Sequence, residues 1–349
     1  LDQLTGLRRI LSPARADRPF DFGGVPTDDR GGGADSCPFC EGREDRTPPE
    51  VWADRPGGGE ADTPGWRVRA VPNLYPALAQ NADPPAGPGD GDSGLTAGGD
   101  PLRAASRGAE PDLFRASPAS GFHEVIVHSP RHRTSLGALD DGELAAAVGG
   151  WRARMGDHAE SAAYVQLIVN EGHEGGASLE HSHAQLYALG FVPAQIARER
   201  ERFASYHQHT MGGDLLGEIA SEEVRRRERL VAIDDEAMLI CPWASRSPFE
   251  LRLIPRRPEP RFDRDAVGIA MLRTALRALA ARFGQVPELN LWTVTAPRGT
   301  EQFHWHLDIA PRIGIRAGFE MSTGVELNVF PPERAAGELR EALSKAGDP

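Results

Sequence analysis

One pattern occurs twice in this 349-residue chain and constrains its fold more than any other feature. A strand-like run, Phe122 to His128 (FHEVIVH), is followed by apolar residues at helical spacing from Leu139 to Ala159 and by a second strand, Tyr164 to Asn170. A glycine-bearing turn, Gly172 to Ser178, then leads into His181-Ser182-His183. The same order returns from Phe249 to Pro255 (FELRLIP), through a helix over Asp265 to Phe283 and a strand over Leu289 to Thr295, to His304-Trp305-His306. The spacing agrees as well: 57 residues separate Glu124 from His181 and 54 separate Glu250 from His304. Self-similarity of this kind predicts an internal duplication, with one half over 1–190 and the other over 191–349. Between the repeats, Val192 to Leu230 carries many charges at helical spacing and reads as two helices with a solvated face.

The N-terminal half holds two further ordered pieces. Gly65 to Leu78 alternates like a strand leading into a turn, and Cys37-Pro38-Phe39-Cys40 has the spacing of half a metal site. By itself C-x-x-C is equally the spacing of a redox pair or of two small buried residues. The stretch 83–120 begins with a Gly/Pro/Asp-rich section almost devoid of large apolar residues, and reads as a mobile surface insertion.

Composition removes several function classes. A formal net charge of −12 argues against the basic face of a nucleic-acid binder, so any phosphate site must be local. Lys345 is the sole lysine, which excludes a P-loop lysine and argues against Schiff-base chemistry. No stretch reaches the roughly 20 apolar residues of a membrane span and no apolar leader opens the sequence, so a cytoplasmic protein without membrane partners is expected. Three cysteines in a reducing compartment suit metal binding better than a disulfide scaffold.

Chemistry concentrates at His181-Ser182-His183-Ala184-Gln185. Alternate residues of a strand share a face, so both imidazoles are presented together and one can bind metal while its neighbour reacts. A neutral imidazole attacks phosphorus, and the phosphoramidate it forms divides one difficult displacement into two easier ones. His183 is the nucleophile on this reading. Gln185, on the same face, can donate to a phosphoryl oxygen, and the turn Gly175-Gly176-Ala177-Ser178 can bring N–H groups and a hydroxyl near phosphate. His304 and His306 fit metal ligands, a substrate contact or a relic of duplication; His173, His207 and His209 lie in exposed-looking segments.

With these residues in place the chain resembles the galactose-1-phosphate uridylyltransferase family of the histidine triad superfamily, which includes the ADP-glucose phosphorylases, over nearly its whole length apart from the Gly-rich stretch. The resemblance rests on Cys-Pro-Phe-Cys with Gly42 and Pro48, on Val71-Pro72-Asn73-Leu74-Tyr75-Pro76, on Phe122 to Val127, on Asn170 through Gln185, and on Arg15-Ala16-Asp17-Arg18-Pro19. It implies an α+β fold made of a duplicated histidine-triad unit, with a mixed, largely antiparallel sheet, flanking helices, and a homodimer whose sites take residues from both subunits. It implies zinc on Cys37, Cys40, His132 and His181, with His183 as nucleophile. Gln185, Ser178 and Asn170 would hold phosphates, Asn73 would lie near the nucleotide, and Arg15 and Arg18 would contact phosphates. Glu320 would bind hexose hydroxyls, with Glu326 at the position of a second hexose-binding residue. A second metal would use Glu199, His304 and His306, although no histidine stands between Thr293 and Pro297 to complete it.

The implied activity is that of a nucleotidyltransferase in galactose metabolism, a UDP-glucose–hexose-1-phosphate uridylyltransferase working by double displacement, with nucleotide sugar and sugar 1-phosphate as substrates. His-Ser-His in place of the usual His-Pro-His, and Leu74 where an aspartate often faces the ribose, leave open an ADP-glucose or other nucleotide-sugar phosphorylase. A dinucleotide hydrolase and a non-catalytic zinc-stabilised nucleotide-binding protein are the remaining alternatives.

Overall fold

The computed structural model describes residues 8–10, 33–78 and 119–347. Arg15 and Arg18 lie outside them, as does the stretch expected to be an insertion, 83–120, save for Ala119 and Ser120.

The N-terminal half supplies β1 (Trp52–Asp54), β2 (Val68–Pro72), β3 (Gly121–Val127), α1 (Asp141–Ala159), β4 (Tyr164–Glu171) and β5 (His183–Leu189). α2 (Ala194–His209) and α3 (Leu215–Arg226) follow, then β6 (Leu230–Ile233), β7 (Ala237–Ile240), β8 (Leu251–Pro255), α4 (Ile269–Phe283), β9 (Leu289–Val294), β10 (His306–Pro311), α5 (Gly318–Thr323) and α6 (Pro332–Lys345). The repeated order strand, helix, strand, His-x-His strand is therefore β3-α1-β4-β5 and β8-α4-β9-β10. All these strands form one sheet in the order β1-β2-β3-β5-β4-β9-β10-β8-β7-β6. Every neighbouring pair among the described residues is antiparallel, including β4 with β9, where the two halves meet at Ile168↔Trp292 through Glu171↔Leu289.

The period-2 pattern of each strand decides what covers it. Ala184, Leu186 and Ala188 of β5 and Leu167 and Val169 of β4 face the main core with Trp151 and Met155 of α1, Leu272 and Leu279 of α4, and Leu339 of α6. That core draws on both halves, so the duplication produces one continuous hydrophobic layer. On the opposite face α2 and α3 contribute Ile196, Phe203 and Leu216 to a second cluster with Leu189, Ile254 and Val294. The inter-repeat segment is thus two helices with a solvated outer side and an apolar inner side.

Helix ends follow local chemistry. α1 starts later than the spacing predicted because Asp140 caps it in a reciprocal capping box with Glu143. α4 starts four residues later than Asp265 because Gly268, at φ +96°, separates a 3₁₀ turn from the helix proper. Glu124 of β3 fastens α1 to the sheet: Arg154 donates to both of its oxygens at 2.7 and 2.8 Å, and His158 Nε2 lies 2.8 Å from Oε1. Burial alone would raise the Glu124 pKa, but His158 and Arg154 outweigh it and hold the carboxyl below its ordinary value.

Candidate active site and metal centre

Four ligand atoms meet at one end of β5. Cys37 and Cys40 come from the turn before β1, His132 from the loop after β3 and His181 from the residue pair preceding β5, and all four donor atoms lie within 4.8 Å of one another. Sγ of Cys37 is 3.4 Å from His181 Nδ1, and Sγ of Cys40 is 3.5 and 3.7 Å from Nδ1 of His132 and His181. Metal–sulfur and metal–nitrogen bonds of about 2.3 and 2.0 Å in a tetrahedron require S···N edges of roughly 3.5 Å, so the donor set fits a closed four-coordinate site. Its surroundings agree. His181 Nε2–H donates to the Ser129 carbonyl at 2.9 Å, fixing the tautomer that presents Nδ1 to the cluster. Burial pushes the His181 pKa down to about 4, so the ring is in its neutral, ligating form near pH 7. The group can therefore hold a metal ion such as zinc. Beneath it a small cluster of Phe39, Trp66, Val71, Val125 and Val127 seats the Cys-Pro-Phe-Cys turn on the sheet.

His183 begins β5 on the same side of the sheet, buried, with the Phe39 ring edge-on at 5.3 Å. Its Nδ1–H donates to the carbonyl of His181 at 2.7 Å, which places the ring lone pair on Nε2. The residue that ligates through its ring thus orients the next histidine through its backbone. Two residues on, Gln185 Oε1 accepts from Tyr187 OH at 3.0 Å and from His123 Nε2–H at 3.1 Å, leaving its amide N–H groups as what it offers a ligand. The His123 tautomer follows because its Nδ1 accepts from Ala77 N at 3.1 Å. Asn73 Nδ2 lies 3.2 Å from His123 Nε2, which brings the Val71 to Pro76 motif to Gln185.

Asn170 lies on β4 beside β5, and its Oδ1 accepts from Asn290 of the second half at 2.8 Å. Ser178 is exposed in the turn between β4 and β5. Gly175 in that turn is required by its own backbone rather than by a ligand, since a Cβ there would stand 2.2 Å from the Glu171 carbonyl. The remaining expected residues lie apart. Glu320 Oε2 accepts from Ala317 N at 2.9 Å and Glu326 pairs with Arg316 at 2.6 Å, without a hydrogen bond to the His183 cluster among the described residues. Glu199 lies on α2, and His304 and His306 at the start of β10.

Sequence reasoning missed the partners of Ser182. Its side chain points away from His181 and His183, into the core, where His128 Nδ1–H donates to Oγ at 2.9 Å and Trp151 Nε1–H donates to His128 Nε2 at 3.0 Å. Ser182 Oγ in turn reaches Glu171 Oε1 at 3.4 Å, and burial pushes the Glu171 pKa up to about 7. Burial, followed by the nearby His183 and His181, holds the His128 pKa well down, so His128 is neutral. This chain explains the serine: a hydroxyl is needed to satisfy a buried histidine. Ser182→Ala strands His128 Nδ1–H in the core and should cost about 1–3 kcal/mol in denaturant unfolding. An unchanged midpoint and slope would contradict the network.

The family model for "Galactose-1-phosphate uridyl transferase, N-terminal domain" matches residues 94–193, and that for "Domain of unknown function (DUF4921)" matches 152–348. Among curated relatives, an ADP-glucose phosphorylase of Arabidopsis thaliana is 29% identical over 97% of this chain and 91% of its own length. A galactose-1-phosphate uridylyltransferase of Cryptococcus neoformans is 27% identical over 70% of this chain and 71% of its own. Among solved structures, an Arabidopsis ADP-glucose phosphorylase with bound ADP-glucose superposes with a TM-score of 0.69 at 28% identity, covering 95% of this chain and 94% of that one.

Proposed function

This chain belongs to the galactose-1-phosphate uridylyltransferase family, more than half of it also matching DUF4921, and from that premise we propose that it transfers a nucleoside monophosphate through a covalent bond to His183. The observation that carries the reading is the orientation of that ring, held through Nδ1–H on the His181 carbonyl with its lone pair on Nε2. Attack by Nε2 on the α-phosphorus of a nucleotide sugar forms an N–P bond and breaks the P–O bond to sugar 1-phosphate, which leaves with the electron pair. An oxygen of the second acceptor then forms a P–O bond, the N–P bond breaks, and the imidazole is restored. Positive charge on the nucleotidylated ring is met by the His181 carbonyl, and the Gln185 amide N–H groups face the phosphoryl oxygens. Asn170, Ser178, Arg15 and Arg18 hold the phosphates and Asn73 the nucleotide. Zinc on Cys37, Cys40, His132 and His181 would supply a structural anchor for the run that carries His183.

Two donors are in contention. Similarity across almost the entire chain supports ADP-glucose with inorganic phosphate as acceptor, the reaction that names the full-length relative, and His-Ser-His is in keeping with it. The uridylyltransferase reading, UDP-glucose with a hexose 1-phosphate, has support over about two thirds of the chain. Initial rates with each donor and each acceptor separate them. Sustained, multiple-turnover release of sugar 1-phosphate from ADP-glucose that requires phosphate supports the phosphorylase, and multiple turnover confined to UDP-glucose plus galactose 1-phosphate supports the uridylyltransferase.

The assembly we propose is a homodimer. Residues 312–330 expose Ile315, Met321 and Val329 at 87, 72 and 87%, an apolar stretch that also bears Glu320 and Glu326 and suits a segment facing the site of a second copy. Light scattering should give twice the 37.7 kDa chain mass, and a monomer at micromolar concentration would remove Glu320 and Glu326 from the hexose site. We place the protein in the cytoplasm, where the Cys37 and Cys40 thiols stay reduced; no helix among the described residues is long and apolar enough to cross a membrane.

A further inference from the structure

The second half repeats the His-x-His and surrounds it with different chemistry. Asp308 follows His306 by two residues, as Gln185 follows His183, and strand register sets Gln185, Ile168, Trp292, Asp308 and Arg252 in one row across β5, β4, β9, β10 and β8. Arg252 Nε and Nη2 donate to Asp308 Oδ1 and Oδ2 at 2.7 and 3.0 Å, and Arg246 Nη2 donates to Oδ2 at 2.7 Å. Arg246 Nε also donates to Glu250 Oε1 at 2.9 Å, while its guanidinium lies over the Trp292 ring, 4.6 Å from the centroid. The side chains of Asp308 and Glu250 are 1% exposed, that of Arg252 24%. Two carboxylates and two guanidinium groups therefore compensate one another along this row in the second half of the sheet.

The second metal set implied by resemblance, Glu199, His304 and His306, does not fit a metal. His304 Nδ1 lies 2.8 Å from Asp214 Oδ2 and Nε2 lies 3.0 Å from the Pro255 carbonyl. Both ring nitrogens of His304 are thus already engaged by acceptor oxygens of the protein, which leaves neither directed at Glu199 or His306. The segment Thr293 to Pro297 brings no imidazole, and the donors that converge among the described residues are those of the Cys37 site. His306 Nε2 and Glu199 Oε2 are buried without hydrogen-bond partners among the described residues, and both feel the Arg252 guanidinium together with the opposed charge of Asp308. Because Arg252 and Arg246 already neutralise Asp308, that carboxylate is not free to draw a divalent ion to these atoms.

We infer that Arg252 is the resident cation of the second half, its guanidinium balancing Asp308 beside the residues to which the resemblance assigns a metal, so that each chain holds at most one tightly bound metal ion. Elemental analysis of the full-length protein, saturated with Zn²⁺ and desalted, tests the count. At most one equivalent per chain, unchanged in His306→Gln, is expected; a second tightly held equivalent overturns the inference. The role of the charge is read separately by melting. Arg252→Gln leaves Asp308 without its bidentate partner and should melt several degrees lower, whereas Arg252→Lys, which keeps the charge, should lose less. Equal losses in the two variants, or no loss in Arg252→Gln, would show that packing rather than a fixed cation is what Arg252 provides.

Discussion

His183→Ala is expected to lower turnover by on the order of 10⁴-fold or more while leaving the protein folded. The size of the effect follows from the ring's role: without Nε2 there is no covalent intermediate, and what persists is the alignment of donor and acceptor on the remaining phosphate contacts. The modest structural cost follows from the surroundings. His183 is buried against Phe39 and its Nδ1–H donates to the His181 carbonyl, while the ring of His181 keeps its own bond to the Ser129 carbonyl without it. Steady-state rates and a melting curve recorded on the same preparation separate the two effects. His183→Gly supplied with free imidazole should regain part of the activity, because the cavity left by the ring admits a nucleophile of the same chemistry. Full turnover in His183→Ala would place the nucleophile elsewhere.

Replacing Cys37 or Cys40 by serine has the second largest expected effect, and its main readout is stability. The Cys-Pro-Phe-Cys turn is held to the sheet by a small apolar cluster and by the Cys–His group, whereas the rest of 33–78 is fixed by the pairing of β1 and β2. If the group holds a structural metal, removing one thiolate should release it and cost on the order of several kcal/mol of stability, one of the large single-site effects. Activity should fall with it, since His181 loses its anchor and its carbonyl no longer fixes the His183 ring. Metal analysis should find about one zinc per wild-type chain and none in either variant. Well under one zinc per wild-type chain, or a chelator that strips the metal and leaves the melting curve unchanged, would dispose of the structural zinc assignment.

The parts of this fold legible in the sequence are those written in local patterns. Period-2 runs located β3, β4, β8 and β9, helical spacing located α1 and α4, and the second His-x-His exposed the repeat. Cys37 and Cys40 announced themselves by spacing. His132 did not: it lies 92 residues from Cys40 and reaches it only once β3 is paired, so resemblance alone suggested it. The Ser182 network is of the same kind, for His128 and Ser182 are 54 residues apart and His128 shows no local sign of where its ring protons go. Helix starts depended on single residues, Asp140 and Gly268, whose effects a smooth periodicity does not register. Arg252 and Asp308 were hidden for a third reason. Each interrupts an apolar strand and reads as a solvated charge until register places the one opposite the other.

Intact mass reads the covalent step on His183 directly. The protein is mixed separately with ADP-glucose and with UDP-glucose, without acceptor, and kept mildly basic to preserve phosphohistidine. A gain equal to one nucleoside monophosphate is expected with one of the donors, absent in His183→Ala and discharged when the matching acceptor is added. An unmodified mass with both donors, in a preparation that turns them over when acceptor is present, would contradict it.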